Sequence, residues 1–246
     1  MSAPSLQQRS NEPEIMDDLS CSGEVVVQTL HELDVINRWL GGHQVTLSGV
    51  RRMLQARAGT DVITIADLGC GSGDLLRKLA DYGRSRNITL RLTGVDANPN
   101  IIDYARRQSA QYPEIEFLAQ DVLTSEFSLR RYDIIIGTLF FHHFEDTVLT
   151  RLLAQLVGQS RIGVLINDIH RHSLAYHSIR LLTGLFSSSS MVRYDAPLSV
   201  RRAFRRQDWD RLLPESGIRE FRIRWKWAFR WQIMVPAPGS RLAQFW

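Results

Sequence analysis

Cysteine is scarce in this chain: Cys21 and Cys70 are the only two among 246 residues. Neither stands in a C-x-x-C or comparable ligand spacing, which excludes a disulfide framework and a cysteine-built metal site. Lysine is as rare, since Lys78 and Lys226 are the only lysines among 30 basic residues. No apolar run reaches the eighteen or so residues that a transmembrane helix needs. The polar start, Met1 to Asn11, lacks the apolar core of a secretory leader, so the cytoplasm is the expected compartment. Internal repeats and strong domain boundaries are also missing. What remains is 44% hydrophobic and 23% charged, the composition of a globular protein with a real core, at a length that fits one α/β domain with extra helix.

The formal net charge is +4, and arginines crowd the last third, from Arg193 to Arg230. A basic face can attract nucleic acid, anionic lipid or an acidic carrier protein. Here Asp195, Asp208, Asp210, Glu215 and Glu220 are interspersed, so the preferred reading is a solvated surface and no nucleic-acid partner is expected.

Residues 1–14 are polar and carry two prolines, which predicts a disordered tail. Apolar residues at three- and four-residue steps predict a helix from Val25 to Leu40, stopped by Gly41-Gly42, and a second from about Leu47 to Arg57. Residues 15–58 then form an N-terminal helical cap, and the main domain occupies 59–246. In that domain predicted strands (Val62–Asp67, Leu90–Asp96, Ile115–Gln120, Tyr132–Gly137, Ile162–Asn167) alternate with predicted helices (Asp74–Arg84, Asn100–Gln108, Val148–Val157). That alternation predicts a parallel sheet built from right-handed crossovers. Residues 170–200 break the pattern and read as an insertion with a helix of its own, suited to a substrate lid. A helix follows from Gln207 to Glu215. From Phe221 to Gln232 the chain alternates with period two, which predicts an antiparallel hairpin turning near Lys226 to Ala228, with Trp225, Trp227, Phe229 and Trp231 in the core.

Asp67-Leu68-Gly69-Cys70-Gly71-Ser72-Gly73 follows a predicted strand and precedes a predicted helix. Its glycines let the backbone turn tightly and approach a ligand, and the next helix presents free N–H groups. A dinucleotide loop reads G-x-G-x-x-G and cradles a pyrophosphate. An acidic residue directly before the glycines would repel a pyrophosphate and suits a ligand carrying an amine and a sulfonium. Asp96 ends the next strand, 23 residues after Gly73, near the spacing at which a carboxylate reaches ribose hydroxyls. Asp121 and Val122 follow the third strand. Each aspartate could instead cap a helix or turn, but three in order at strand ends point to one ligand.

The D-x-G-x-G-x-G loop resembles motif I of the class I S-adenosylmethionine-dependent methyltransferases. The run Tyr132 to Phe144, with His142-His143 after a bulky apolar stretch, resembles the ubiquinone/menaquinone branch of that family. The likeness covers roughly residues 60–170. It implies a Rossmann-like, doubly wound, seven-stranded sheet, mostly parallel with an antiparallel C-terminal hairpin, preceded by N-terminal helices. It implies S-adenosylmethionine as cofactor, held by Asp67, Gly69, Cys70, Gly71, Gly73, Asp96, Ala97, Asp121, Val122 and Thr138. The segment around Asp121 and Val122 resembles the one that meets the adenine.

The position after the fourth strand lacks the N-P-P-Y-type tetrad of amino-methylating nucleic-acid enzymes, and neither cysteine is placed for cytosine-C5 chemistry. The resemblance therefore implies a small phenolic, quinol or polyketide-type acceptor, lipid-tailed or carrier-bound, methylated on oxygen or, as an alternative, on a quinone-type carbon. Histidine titrates near neutrality and is the natural base. The candidates are His143, His170 and His142, with packing against Phe144 as the alternative role for the pair. Asn167 to His172 has the look of a metal cluster, yet no Cys or Glu set completes it, so no metal is expected. Two rival readings are an RNA or protein methyltransferase using the basic C-terminal third, and a non-catalytic cofactor-binding module.

Overall fold

The computed structural model describes residues 5–56 and 62–245. The first four residues of the expected tail, the end of the second expected helix at Arg57 and the boundary expected at residues 58 and 59 lie outside the described residues.

Seven strands form one sheet in the order β3-β2-β1-β4-β5-β7-β6. Strands β1 (Ile63–Leu68), β2 (Leu90–Asp96), β3 (Ile115–Ala119), β4 (Tyr132–Thr138) and β5 (Ser160–Ile169) are parallel, while β7 (Arg230–Pro236) and β6 (Arg222–Lys226) run antiparallel. Alternation along each strand feeds two cores. Ile65, Ile134, Ile136 and Leu165 join one, and Ala66, Ile135, Val164 and Ile166 join the other. Helices α2 (Gly42–Met53), α3 (Asp74–Ser85) and α4 (Pro99–Gln108) close the first core; the short α5 (Ser125–Ser128), α6 (Asp146–Gln159) and α9 (Arg206–Glu215) close the second. Both faces are thus covered, which is why the central strands read as continuous apolar runs. The doubly wound, seven-stranded expectation holds. Strand order reverses between β1 and β4, so the carboxyl ends of these two strands open on a crevice.

The expected disordered tail departs from expectation over 5–14. Arg9 donates to the Arg202 carbonyl at 2.7 Å and the Phe144 carbonyl at 2.9 Å, and its guanidinium lies 4.2 Å from the Phe204 ring centroid. Arg171 Nε donates to the Leu6 carbonyl at 3.0 Å. Polar composition predicts disorder because it counts local apolar residues, and it is blind to one arginine anchored by distant carbonyls.

After β5 the chain makes two helices where one was expected: α7 (Ser173–Phe186) and α8 (Ser190–Arg202). Pro197 lies inside α8, and the serine run before it hid the start. Ser189 caps α8 by accepting from Val192 N at 3.2 Å. The C-terminal hairpin forms, but its aromatic face is not all core. Trp231 is buried, whereas Trp225 and Trp227 are exposed. Ala228 and Phe229 adopt left-handed backbone (φ 59° and 56°), which breaks the alternation at the turn, and β6 is the sheet edge.

Helix α1 (Glu24–Trp39) and α2 lie over the carboxyl edge of the sheet rather than apart from it. Asn167 Nδ2 donates to the Gly42 carbonyl and to Thr46 Oγ1, both at 2.9 Å, and Thr46 meets Thr138 at 2.9 Å. Among the described residues no helix is long and apolar enough to cross a membrane.

Candidate active site

A cavity of about 510 Å³ opens where β1 and β4 diverge. Its floor is the glycine loop. Gly69 adopts φ +64°, and a Cβ there would stand 2.5 Å from the Phe140 ring, so only glycine fits both the turn and the close approach. The loop is laced to β2, since Gly69 N and Cys70 N donate to the Val95 carbonyl at 2.9 and 3.1 Å. From α1, Asp34 accepts from Ser72 Oγ at 2.6 Å.

Of the residues singled out in the sequence, Asp67, Gly69, Cys70, Gly71, Asp96, Ala97, Asp121, Val122, Thr138, His142 and His143 all line this cavity. Gly73 stands just behind the lining, at the N-cap of α3. Asp121 also accepts from Leu123 N at 2.9 Å, so its turn-capping role is real alongside its place at the wall.

Two carboxylates share the floor. Asp67 is fully buried, and burial together with nearby Asp96 raises its pKa to about 8. Its Oδ1 has no hydrogen-bond partner. Burial also raises Asp96, although backbone N–H groups of Asn98, Gly71 and Ala97 and the nearby His143 work against that rise. A pair of buried carboxylates with a free oxygen is poised for a cationic ligand.

The roof holds the histidines. His142 Nδ1 meets Asp168 at 2.8 Å and its Nε2 lies 3.5 Å from Glu14. Asp168, with no exposed surface, also accepts from the backbone of Phe141, His142 and Ile169. Burial opposes the imidazolium, but Asp168 and Glu14 outweigh it and raise His142 to about 9. With Asp168 on Nδ1 and Glu14 near Nε2, both favouring the imidazolium, His142 is poorly placed for the base role expected of it. His143 differs. Its Nδ1 meets Asp17 at 2.6 Å, and its side chain is only partly covered. Asp17 sits well below the usual carboxylate range: partial burial would raise it, but the His143 hydrogen bond, the Glu14 N–H and the Arg202 guanidinium at 2.6 Å hold it ionised. Ligand atoms of Glu14, His142 and His143 lie within 4.8 Å of one another, a spacing a metal ion could bridge. The His142 and Glu14 atoms are already engaged in ion pairs with each other, Asp168 and Arg202.

His170 is not brought to the cavity. It bridges to Phe204, accepts from Trp225 Nε1 at 3.3 Å and lies 4.8 Å from the Trp231 ring. Burial and neighbouring cations lower its pKa to about 4. It follows Ile169, the last residue of β5, and is held against Phe204 in the link between α8 and α9, so spacing after a strand misplaced it.

Four polar residues of the roof were not singled out as site residues: Glu14, Asp17, Asp195 and Arg202. Asp195 of α8 accepts from Ile15 N at 2.8 Å and Met16 N at 3.1 Å, fastening the 3-10 turn Ile15–Asp17 over the opening. Asp17 and His143 are 126 positions apart, and no spacing rule connects them.

The buried His142–Asp168 pair has a pH signature. A histidine raised from 6.5 to about 9 adds stability that is fully present below pH 6.5 and is lost as pH rises through about 9. Thermal melting from about pH 6 to about pH 10 is expected to fall along that window. His142→Gln is expected to flatten the slope and to lower melting at the acid end. An unchanged slope in the variant would assign it to another group.

Residues 65–161 match the family model described as a methyltransferase domain. The chain is 34% identical over 145 residues to a 2-phytyl-1,4-naphtoquinone methyltransferase of Trichormus variabilis, covering 56% of this chain and 60% of that protein. It is 33% identical over 84 residues to a malonyl-[acyl-carrier protein] O-methyltransferase of Acetivibrio thermocellus, covering 34% of this chain and 28% of that protein. The chain thus spans less than two thirds of the length of these relatives. Among solved structures it is similar to the plantazolicin methyltransferase in complex with SAH (TM-score 0.58, 15% identity, 86% of this chain and 94% of that one). It is also similar to magnesium protoporphyrin IX methyltransferase from Synechocystis with bound SAH (TM-score 0.51, 18% identity, 78% and 81%). At such identities the structural likeness speaks for the fold. The fold is that of these solved methyltransferases, and residues 65–161 carry the match to a methyltransferase domain.

Proposed function

We propose that this chain transfers the methyl group of S-adenosylmethionine to a small phenolic, quinol or polyketide-type acceptor, on oxygen, with His143 as the base. The observation that carries the reading is the Asp17–His143 pair opening on the same cavity as the glycine loop and Asp96.

The residues present fit the cofactor. The unpartnered Asp67 Oδ1 calls for a donor, and an ammonium group supplies one. Gly69, Cys70, Gly71 and Gly73 would form the cradle beside it, Asp96 and Ala97 suit the ribose hydroxyls, Asp121 and Val122 the adenine, and Thr138 would complete the wall. Bound there, the cofactor supplies an electrophilic methyl group on sulfur. A phenol of pKa about 10 keeps its proton at neutral pH. With ionised Asp17 holding Nδ1–H, His143 Nε2 is free to accept that proton as the oxygen attacks. The turn Ile15–Asp17 and helix α8 act as the lid, excluding water and holding the acceptor in line. The names of the relatives, a phytyl-naphtoquinone and an acyl-carrier-protein enzyme, support a lipid-tailed or carrier-bound acceptor.

The test is incubation with trideuteromethyl-labelled cofactor and a panel of phenols, alkylresorcinols and quinols, with small RNA in parallel. Label on a phenolic oxygen is the expected result. Label on a ring carbon would move the accepting atom to carbon, and label on RNA alone would overturn the reading.

A further inference from the structure

Helix α7 turns its inner side, with Ala175, Tyr176 and Thr183 buried, toward the body of the protein. Its outer side is apolar as well. Leu174, Leu181 and Leu185 recur at seven- and four-residue steps, with Leu182 and Phe186 beside them. Leu181 is 62% exposed, Leu185 66% and Phe186 79%. A helix apolar on both sides belongs in a core or against a second apolar phase, and a contiguous exposed stripe of this kind marks a contact surface.

Two further observations say what that phase is. Phe229 and Ile179 pack into one cluster with Ala175 and Tyr176, so the β6–β7 turn abuts α7. At the tip of that turn Trp227 is 76% exposed, and an exposed indole beside cations is the composition of a membrane–water interface. The charge is also of one sign. No Asp or Glu occurs from 170 to 194, nor after Glu220. Of the acids between those stretches, Asp195 is engaged with the backbone of Ile15 and Met16, Asp208 with Arg171, Asp210 with Arg206 and Glu215 with Arg211, and Glu220 precedes β6 at the end away from the turn. Arg180, Arg224 and Lys226 have no carboxylate partner among the described residues.

We propose that the outer face of α7 and the β6–β7 turn seat this protein on an anionic lipid surface. The leucines and Phe186 enter the acyl boundary, Trp227 sits at headgroup level, and Arg180, Arg224 and Lys226 meet the lipid phosphates. The face is fixed and not a loose loop. Glu32 of α1 accepts from Ser187 Oγ and from the N–H groups of Ser188 and Ser189, tying the α7–α8 tip down. Val192 and Ala196 of α8, which packs against α7, line the cavity. The proposal rests on the surface alone and holds whichever acceptor is methylated.

The test is co-sedimentation of the full chain with vesicles of phosphatidylcholine, with and without about a third phosphatidylglycerol. Binding to the anionic vesicles at low salt is expected to exceed binding to the neutral ones by about ten-fold and to fall as salt rises. The double variant Leu181→Glu, Leu185→Glu is expected to lose this binding while keeping its melting temperature and its affinity for S-adenosylhomocysteine. Arg224→Glu with Lys226→Glu is expected to lose it too. Failure of the wild-type chain to bind anionic vesicles overturns the proposal. So does a wild-type dimer in light scattering that the leucine variant turns into a monomer, which would assign the face to a second copy of the chain.

Discussion

Replacing His143 by alanine is expected to lower methyl-transfer turnover by about 10² to 10⁴-fold, the range for loss of a positioned base. Affinity for S-adenosylhomocysteine is expected to stay within about two-fold, because proton removal belongs to the acceptor half of the cavity. The size of the effect follows from the arrangement. His143 has Asp17 at 2.6 Å on Nδ1, which fixes its ring orientation, while neighbouring His142 lies between Asp168 and Glu14 and His43, also in the lining, faces Asp74 at 3.4 Å. Asp17→Asn separates orientation from charge. It keeps the side-chain shape but removes the ionised partner that stabilises the developing imidazolium, so turnover is expected to fall by about ten-fold or more with cofactor affinity again unchanged. Single-turnover kinetics with a phenolic acceptor, alongside calorimetry of S-adenosylhomocysteine binding, separates the two quantities. Normal turnover in both variants would leave alignment of acceptor and methyl group as the whole of catalysis.

Asp96→Ala is expected to weaken S-adenosylhomocysteine binding at least ten-fold, or about 1.4 kcal/mol. Asp96 ends β2 with its carboxylate in the cavity, and its own partners are backbone N–H groups within the loops, so no core packing is lost with it. Melting temperature is therefore expected to change little. Burial already disfavours the Asp96 charge, so removing it carries little structural cost. There is a second consequence. Asp96 is the charge that adds to burial in raising Asp67, so Asp67 is expected to ionise more easily in the variant. Part of the lost cation attraction is thus replaced, and the cost should appear chiefly through the ribose hydroxyls. S-adenosylhomocysteine and its 2′-deoxyribose analogue are expected to bind the wild type with clearly different affinities and the variant with similar ones. Unchanged affinity in Asp96→Ala would remove Asp96 from the cofactor site.

The sheet was legible because its signals are local. The apolar runs at 63–68, 132–138 and 160–169 are buried on both faces, which leaves them as nearly unbroken apolar stretches in the sequence. The glycine loop was legible for the same reason, as seven consecutive residues carry both its backbone and its charge. The roof was not. Polar residues 5–14 look like a tail, and Asp17 like part of a helical cap, until Arg9, Glu14 and Asp17 are seen with their partners at Asp146, His142 and His143. The indoles Trp225 and Trp227 looked like core because alternation continued through their positions, and only the left-handed pair Ala228–Phe229 shows where it stops.

The sequence by itself determined the class of fold, the order of elements and the loops that ring the cavity. Hydrophobic period and glycine position are properties of neighbouring residues, and they act before any long-range contact forms. Tertiary structure alone decided how each histidine is partnered. His142 and His143 are adjacent, identical in type and both in the cavity wall, yet one lies between the buried carboxylates of Asp168 and Glu14 and the other has Asp17 on its Nδ1. Protonation depends on the charges within a few ångströms and on the water that burial removes, and those charges come from residues at 14, 17 and 168 that only the folded chain brings together.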